Sequence, residues 1–248
     1  MPMSEFTLGV FSFTEAAPRR GRHDELPAIG SLPQHFQSSY PRWSTSWELT
    51  AECRGAATAI APPMDAIRHV TLHLLGRPAD GPSPQRGDAA TSTERPENPS
   101  ATPLSGAYEI CSVSAGREAG STGMHLRRTN TGALIIAYEP GEDIVRFEAY
   151  QQWRNRIHNP DVLAVPGVTG LYEFVGAQTT DALDQRGRRS HIHVFFLHAP
   201  PVQVARDIDI RREQWIRDGR MPDFGDARTL LFAGPLEAIQ GRELPVFA

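Results

Sequence analysis

Lysine is absent from the 248-residue chain, and all 25 of its basic residues are arginine. Enzymes that form a Schiff base, enzymes that attach pyridoxal phosphate and P-loop nucleotide hydrolases all need a lysine amine, so these classes are excluded. The formal net charge is −4 at neutral pH. Because no basic excess is available to hold a phosphate backbone, we expect no nucleic-acid partner.

Cysteine and long apolar runs are also scarce. Cys53 and Cys111 are the only cysteines, too few for a disulfide framework or a zinc cluster. The first ten residues lack the basic segment and apolar run of a signal peptide. No apolar run approaches the roughly 20 residues needed to cross a bilayer. The sequence therefore predicts a cytoplasmic protein that makes no contact with membranes.

Proline is concentrated in one stretch, residues 77–107, which contains six prolines and a single large apolar residue, Leu104. A segment with so little to bury cannot offset the entropy of ordering it, so we expect a flexible connection. It lies within an N-terminal unit of residues 1–115, and a C-terminal unit follows over residues 133–248.

The C-terminal unit shows a regular alternation of apolar patterns. Four short apolar runs predict strands at residues 133–138, 168–175, 192–197 and 229–233. Apolar residues at helical spacing lie between the first and second strands and again between the third and fourth. They are Phe147, Tyr150, Trp153 and Ile157 in the first helix and Val204, Ile208 and Trp215 in the second. The order β-α-β-β-α-β is that of a ferredoxin-like unit.

The N-terminal unit has similar spacings in a weaker form. It predicts strands at residues 6–13, 47–53, 67–75 and 108–113 and a helical region at residues 24–40. Its second helix is missing or very short, because the proline-rich stretch occupies that position. The sequence thus predicts an α+β fold in which two ferredoxin-like units form one pseudo-dimeric barrel within the chain.

Residues 150–174, YQQWRNRIHNPDVLAVPGVTGLYEF, carry a family resemblance. An aromatic residue, a histidine, a proline and a Pro-Gly-Val turn stand at Trp153, His158, Pro160 and residues 166–168. This pattern resembles the dimeric α/β-barrel superfamily, in particular its EthD-like and muconolactone-isomerase-like members. The resemblance implies two ferredoxin-like units around a pocket. It indicates fold more than activity, because the superfamily includes isomerases, cyclases, monooxygenases and haem enzymes.

His158 is the first candidate for chemistry. An imidazole with a pKa near 6.5 can carry a proton at neutral pH, and His158 falls at the edge of the apolar arc of the first helix. The alternative is a helix-end histidine that interacts with the last carbonyl groups. Tyr172 or His193 would assist as a second catalytic group, since a tyrosine hydroxyl can donate a proton or stabilise an enolate.

Other histidines stand two residues or four residues apart on predicted strands, and side chains at such spacings point to the same face of a strand. His191 and His193 share one face, and His69 and His73 share another in the N-terminal unit. Such pairs could hold a metal or haem, but they are more often polar pairs at a sheet end, and no zinc-binding motif is present. We therefore expect no cofactor and keep haem or a metal as an alternative. His69, His73, His191, Tyr138 and Trp153 are the candidates for substrate binding.

Taken together, these patterns predict a cofactor-independent acid–base enzyme of the isomerase, cyclase or lyase type. Its substrate would be a small organic molecule, with aromatic or polyketide-derived compounds as the classes considered. Two alternatives stay open: a haem- or metal-binding enzyme of the same superfamily, and a non-catalytic module for small-molecule binding or assembly. A homodimer stays open as the assembly.

The proline-rich stretch gives a direct test. Limited proteolysis should cut first within residues 77–107, because a segment with almost nothing to bury is accessible to a protease. The cleavage sites can be read by mass spectrometry of the first fragments. Strong protection of this stretch in hydrogen exchange would contradict the prediction.

Overall fold

A computed structural model describes residues 6–15, 40–61, 64–76, 104–116, 129–176 and 189–239. Over these residues the chain is mostly β-sheet. The strands are β1 (Phe6–Thr14), β2 (Tyr40–Glu48), β3 (Ala59–Ile60), β4 (His69–Gly76), β5 (Gly106–Ala115), β6 (Gly132–Pro140), β7 (Val168–Gly176), β8 (His191–Leu197) and β9 (Arg228–Ala238).

Eight of these strands close into one antiparallel barrel. Their order around the barrel is β2-β4-β1-β5-β7-β8-β6-β9, and a short β2–β9 pairing completes the ring. That closure consists of Trp47 opposite Ala238 and Glu48 opposite Glu237. The two-residue strand β3 also pairs with β9, on the edge opposite β6. Strands from the two halves of the sequence therefore meet at two seams: β5 pairs with β7, and β2 and β3 both pair with β9.

The interior of the barrel is filled with aromatic and aliphatic side chains, as expected for eight strands. Rings from the two halves touch each other: the centroids of Phe11 and Phe174 are 4.9 Å apart, and those of Trp47 and Phe196 are 5.9 Å apart. Gly9 makes room for this packing, because a Cβ atom there would lie 2.4 Å from the Phe174 ring. Both halves thus contribute to a single core.

Helices cover part of the outer surface of the barrel. They are α1 (Ala51–Gly55), α2 (Ile144–Trp153), a π-helical turn (Arg154–His158), α3 (Asn159–Leu163) and α4 (Pro201–Arg217), with α2, the π turn and α3 forming one continuous run. Asp143 caps α2 by accepting a hydrogen bond from the Arg146 amide at 3.0 Å. An outer apolar layer joins strands β6, β7 and β8 to α3 and α4 through Leu134, Val162, Leu171, Phe195, Val204 and Trp215.

The prediction of two α+β ferredoxin-like units arranged as an EthD-like dimeric α/β barrel is wrong. The strands form one closed antiparallel β-barrel and not two separate α+β units. In the N-terminal half, the described residues outside the strands contain only the five-residue α1 and a three-residue 3₁₀ turn. The physical reason is edge pairing: the free edges of two units would expose unpaired N–H and C=O groups, and β5–β7 and β2–β9 pairing satisfies them.

Local predictions have mixed outcomes. The four strands expected in the C-terminal half all overlap observed strands. The strand expected at residues 47–53 is wrong: β2 ends at Glu48, and Thr50 caps α1 by accepting a hydrogen bond from the Cys53 amide at 3.2 Å. Pro160 of the family-like pattern lies inside the helical run, in the first turn of α3 directly after the π turn. The PG-V turn leads into β7, with Gly167 at a φ of 92° that favours glycine.

The proline-rich stretch is described only at its end. Leu104 is fully buried, and β5 begins at Gly106, so these residues belong to the barrel and not to a flexible connection. The remainder of residues 77–107 and most of the helical region expected at residues 24–40 lie outside the described residues. None of the described helices is both long enough and apolar enough to cross a membrane.

The shared core predicts a large effect of substitution at Phe196. This side chain packs against Trp43, Trp47 and Tyr172 across both halves. Phe196→Ala should lower the free energy of unfolding by about 3–5 kcal/mol, through lost burial and the cavity left behind. Urea unfolding followed by fluorescence and circular dichroism measures it.

A matched control is Ile216→Ala on α4, where the side chain is exposed. This change should alter the free energy of unfolding by no more than about 0.5 kcal/mol. Equal effects of the two substitutions would contradict the packing of Phe196 in a core shared by the two halves.

Candidate functional site

The polar residues of the C-terminal half converge on the outer face of the barrel, beneath the α2–α3 run. Alternation along the strands produces this arrangement. Tyr172 and Phe174 point into the barrel, so Glu173 between them points outward on β7. His193 on β8 is paired directly with Glu173 on one side and with Ile136 on the other. Tyr138, two residues along β6 from Ile136, reaches the same face.

Arg154 enters this face from the π turn and binds residues of three strands. Its Nη2 donates to Oε1 of Glu173 at 2.6 Å. Its Nη1 contacts the hydroxyl of Tyr138 and Nε2 of His193. Asn159 adds a second donor to the same Oε1 at 3.1 Å. All five residues are buried, and we refer to them as the polar cluster.

The protonation states of the polar cluster follow from its burial. Burial lowers the pKa of His193 well below its usual value, and the positive charge of Arg154 lowers it further. Burial raises the pKa of Tyr138 above its usual value, although Arg154 opposes this effect. At neutral pH the imidazole and the phenol are therefore both uncharged. The charges of Arg154 and Glu173 compensate each other, as a buried ion pair requires.

The π turn gives this part of the helical run its shape. The amide of Asn159 donates to the carbonyl of Arg154, an i to i+5 hydrogen bond in place of the α-helical i to i+4 bond. Such turns inside α-helices are rare and occur often at functional sites. The turn begins at Arg154, which belongs to the polar cluster, and ends at His158, which lines a neighbouring cavity.

The cavity, of about 100 Å³, lies between the barrel wall and α3 and α4. Most of its wall is apolar, and His158 and Asp209 are its ionisable residues; Asp209 is exposed. Ile136 and Phe195 connect it to the polar cluster, because each lies two residues from a cluster member on the same strand face. The lining residues are Ala56, Thr58, Leu134, Ile136, His158, Val162, Phe195, Ala205, Ile208, Asp209, Ala233, Gly234 and Pro235.

The imidazole of His158 is held by aromatic rings. It stacks on Trp153 at 5.0 Å between centroids, with 19° between the planes, and meets Trp215 edge-on at 6.2 Å. Its Nδ1 is buried and has no hydrogen-bond partner in the described part of the chain. Burial lowers the pKa of His158 to about 4, with further contributions from the positive charges of Arg228, Arg154 and Arg212. The ring is therefore neutral at neutral pH and able to accept a proton or a hydrogen bond.

Several predicted site residues come together here. Trp153 supports His158 and donates its indole N–H to the carbonyl of Arg220 at 2.8 Å. His191 stacks on Tyr138 at 5.1 Å with only 6° between the ring planes. Burial lowers the pKa of His191 to about 4, and Arg154 adds to the effect. Tyr138, His191 and His193 thus lie in the layer beside the cavity, although they do not line it.

Other predicted site residues lie elsewhere. Tyr172 faces the barrel interior, where it packs against Phe174 and Phe196, so the sheet separates it from His158. His69 and His73 share the outer face of β4 in the N-terminal half, and neither lines the cavity. Nδ1 of His73 forms a 2.8 Å hydrogen bond with the hydroxyl of Ser44.

Arg154, Glu173 and Asn159 were not among the predicted site residues. A signal for Glu173 exists in the sequence: it is the only charged residue of strand β7, VTGLYEFVG. A carboxylate in the middle of a buried strand requires a partner of opposite charge. The identity of that partner depends on how the helical run crosses the sheet, which the spacing of residues does not specify.

The described residues contain no group of three or more His, Cys, Asp or Glu placed to hold a metal ion. The haem or metal alternative therefore stays a prediction without a candidate site among them. Among the described residues that line the cavity, none distinguishes isomerase, cyclase or lyase chemistry. No protein-family model, curated protein or solved structure matches the chain.

The lowered pKa of His158 predicts a pH-dependent stability. The folded-state pKa is about 4 and the ordinary value is 6.5, so between these values the unfolded state binds more protons. The free energy of unfolding should therefore fall as the pH drops through this window. His158→Gln should reduce the loss between pH 7 and pH 5 by about 1–2 kcal/mol.

Urea unfolding of both proteins at the two pH values measures this difference, and each protein at pH 7 serves as its own control. An unchanged loss of stability in His158→Gln would show that the histidine does not titrate below its ordinary range.

Proposed function

We propose that the chain catalyses proton transfer on a small, mostly apolar organic molecule bound in the cavity, with His158 as the proton acceptor. The observation that carries the proposal is a neutral imidazole in the wall of an otherwise mostly apolar cavity, with one ring nitrogen unpartnered. A neutral imidazole that lacks a competing partner is available to accept a proton. Its pKa of about 4 makes it a weaker base than free imidazole, so the acceleration would come from the placement of the substrate beside it.

The size of the cavity limits the substrate. An engineered apolar cavity of about 150 Å³ binds benzene, and this cavity measures about 100 Å³. It would accept one small ring, or the end of a longer molecule whose remainder extends out of the cavity beside Asp209. The apolar lining favours a molecule with few polar groups, such as a small ketone.

The surrounding charges suit a carbon acid. When His158 removes a proton from the carbon beside a carbonyl group, the C–H electron pair forms a carbon–carbon double bond, the π pair of the carbonyl moves onto its oxygen, and an enolate results. Arg228 and Arg212, which are not part of the polar cluster, are close enough to influence His158 electrostatically, and their positive charges would stabilise this anion. The imidazolium then returns its proton to the substrate, which restores the neutral ring.

A non-catalytic binding role is the second candidate. The mostly apolar lining favours it, because a single imidazole can serve as a hydrogen-bond acceptor that orients a ligand without any chemistry.

We also propose a cytoplasmic location, as expected from the sequence. The free thiols of Cys53 and Cys111 suit a reducing compartment.

The two candidates differ in their effect on carbon-bound hydrogen. We expect the protein to accelerate deuterium uptake from D₂O into cyclopentanone, a small ring with one carbonyl group. Proton NMR measures the rate of this uptake. His158→Gln should slow the protein-dependent exchange by about 10²–10⁴-fold, the usual contribution of a general base. Binding of cyclopentanone without exchange would support the non-catalytic role.

The matched control is His69→Gln. His69 also has a buried Nδ1 without a hydrogen-bond partner in the described residues, but it lies outside the cavity. This variant should exchange at the wild-type rate. The proposal would be overturned if wild-type protein exchanged cyclopentanone no faster than an equal concentration of free imidazole, or if both variants lost the same activity.

A further inference from the structure

His158 lies between two residues that are both attached to one oxygen atom. Arg154 opens the π turn and donates to Oε1 of Glu173 at 2.6 Å. Asn159 directly follows His158 and donates to the same Oε1 at 3.1 Å. The two ends of the segment that carries His158 are thus attached to a single carboxylate oxygen on β7.

The attachment connects the turn to a rigid part of the barrel. Glu173 lies in the middle of β7, which pairs with β5 on one side and β8 on the other. Its carboxylate is buried, so water does not compete for its hydrogen bonds. A short helical turn attached at both ends to such a strand has little freedom to rotate its last side chain.

We propose that Glu173 is the positioning residue for His158: its carboxylate fixes both ends of the π turn and thereby holds the imidazole in the cavity wall. Glu173 does not line the cavity, so it acts through Arg154 and Asn159 and not on a bound molecule. The catalytic consequence rests on the function proposed above for His158, whereas the positioning itself does not.

The first test removes the attachment without leaving a buried charge. In Arg154→Met/Glu173→Met both members of the ion pair become apolar, a replacement that is often neutral or stabilising. We expect a folded protein in which the His158 ring leaves the stack on Trp153. Its pKa should rise from about 4 towards the ordinary value of 6.5, because burial and the charge of Arg154 both lower it at present. Loss of the Arg154 charge alone raises this pKa, so displacement of the ring is judged from its contact with Trp153 and from the variant Asn159→Ala, which changes no charge.

Nitrogen-15 NMR of the imidazole rings measures this pKa directly. Arg228, Arg212 and Asp209, the other charged groups near His158 on β9 and α4, are unchanged in the variant. The exchange of cyclopentanone should fall by about 10²-fold, the cost of a displacement near 1 Å. The loss should appear in kcat with little change in KM.

The control is Arg146→Met/Asp226→Met, which removes an exposed ion pair of 2.7 Å between α2 and the segment before β9. It should leave the pKa of His158 and the exchange rate unchanged. A second variant, Asn159→Ala, breaks one attachment and keeps the ion pair, so it tests the proposal if the double variant fails to fold. It should shift the pKa of His158 in the same direction by a smaller amount.

The proposal would be overturned if the melting temperature fell while His158 kept its contact with Trp153 in the double variant and its wild-type pKa in Asn159→Ala. That result would assign the ion pair a purely structural role. A wild-type protein without exchange activity would overturn the proposed function alone, because the NMR measurement of His158 does not depend on turnover.

Discussion

The interior of an eight-stranded barrel has room for side chains and little more, and this constraint determines where chemistry can occur in the molecule. Phe11, Phe174 and Phe196 occupy that interior together with other fully buried rings. Polar groups placed there would lose their hydration without gaining partners. The polar cluster and His158 therefore lie outside the barrel interior, on the side where a helical layer covers the sheet and supplies partners.

The helical layer also provides the positive charge that the buried carboxylate on β7 requires. An outward-facing carboxylate on a buried strand would be unstable under an apolar helix, because desolvation of a lone charge is costly. Arg154 compensates the charge of Glu173, and it can reach the sheet because the π turn begins at this residue. The same turn directs His158 towards the cavity, so charge compensation and placement of the imidazole depend on one local change in helix geometry.

The sequence predicted much of this region correctly at the level of strands and faces. Apolar runs located β6 to β9, and the period of two placed His191 and His193 on one face. Prediction failed where the outcome depends on contacts distant in sequence. The two expected ferredoxin-like units were wrong because periodicity identifies strands but not the edges that pair.

The failure at residues 47–53 has a different cause. An apolar pattern there fits either a strand or a short helix, and the choice depends on Thr50 capping α1. Tyr172 is expected at the pocket because its strand should line or back it, but in a strand buried on both faces alternation alone does not tell the inner face from the outer one. The spacing of residues in the sequence does not identify the partner of Glu173, because that partner depends on how the helical run crosses the sheet.

The two seams of the barrel differ greatly in length. Seven residue pairs join β5 to β7, whereas β2 and β9 share only Trp47 with Ala238 and Glu48 with Glu237. Separation of this short seam, together with the two-residue β3–β9 pairing, would turn the cylinder into an open, curled sheet while every longer ladder stays intact. Since β9 also supplies Gly234 and Pro235 to the cavity wall, opening of the barrel at this strand would change the shape of the cavity as well.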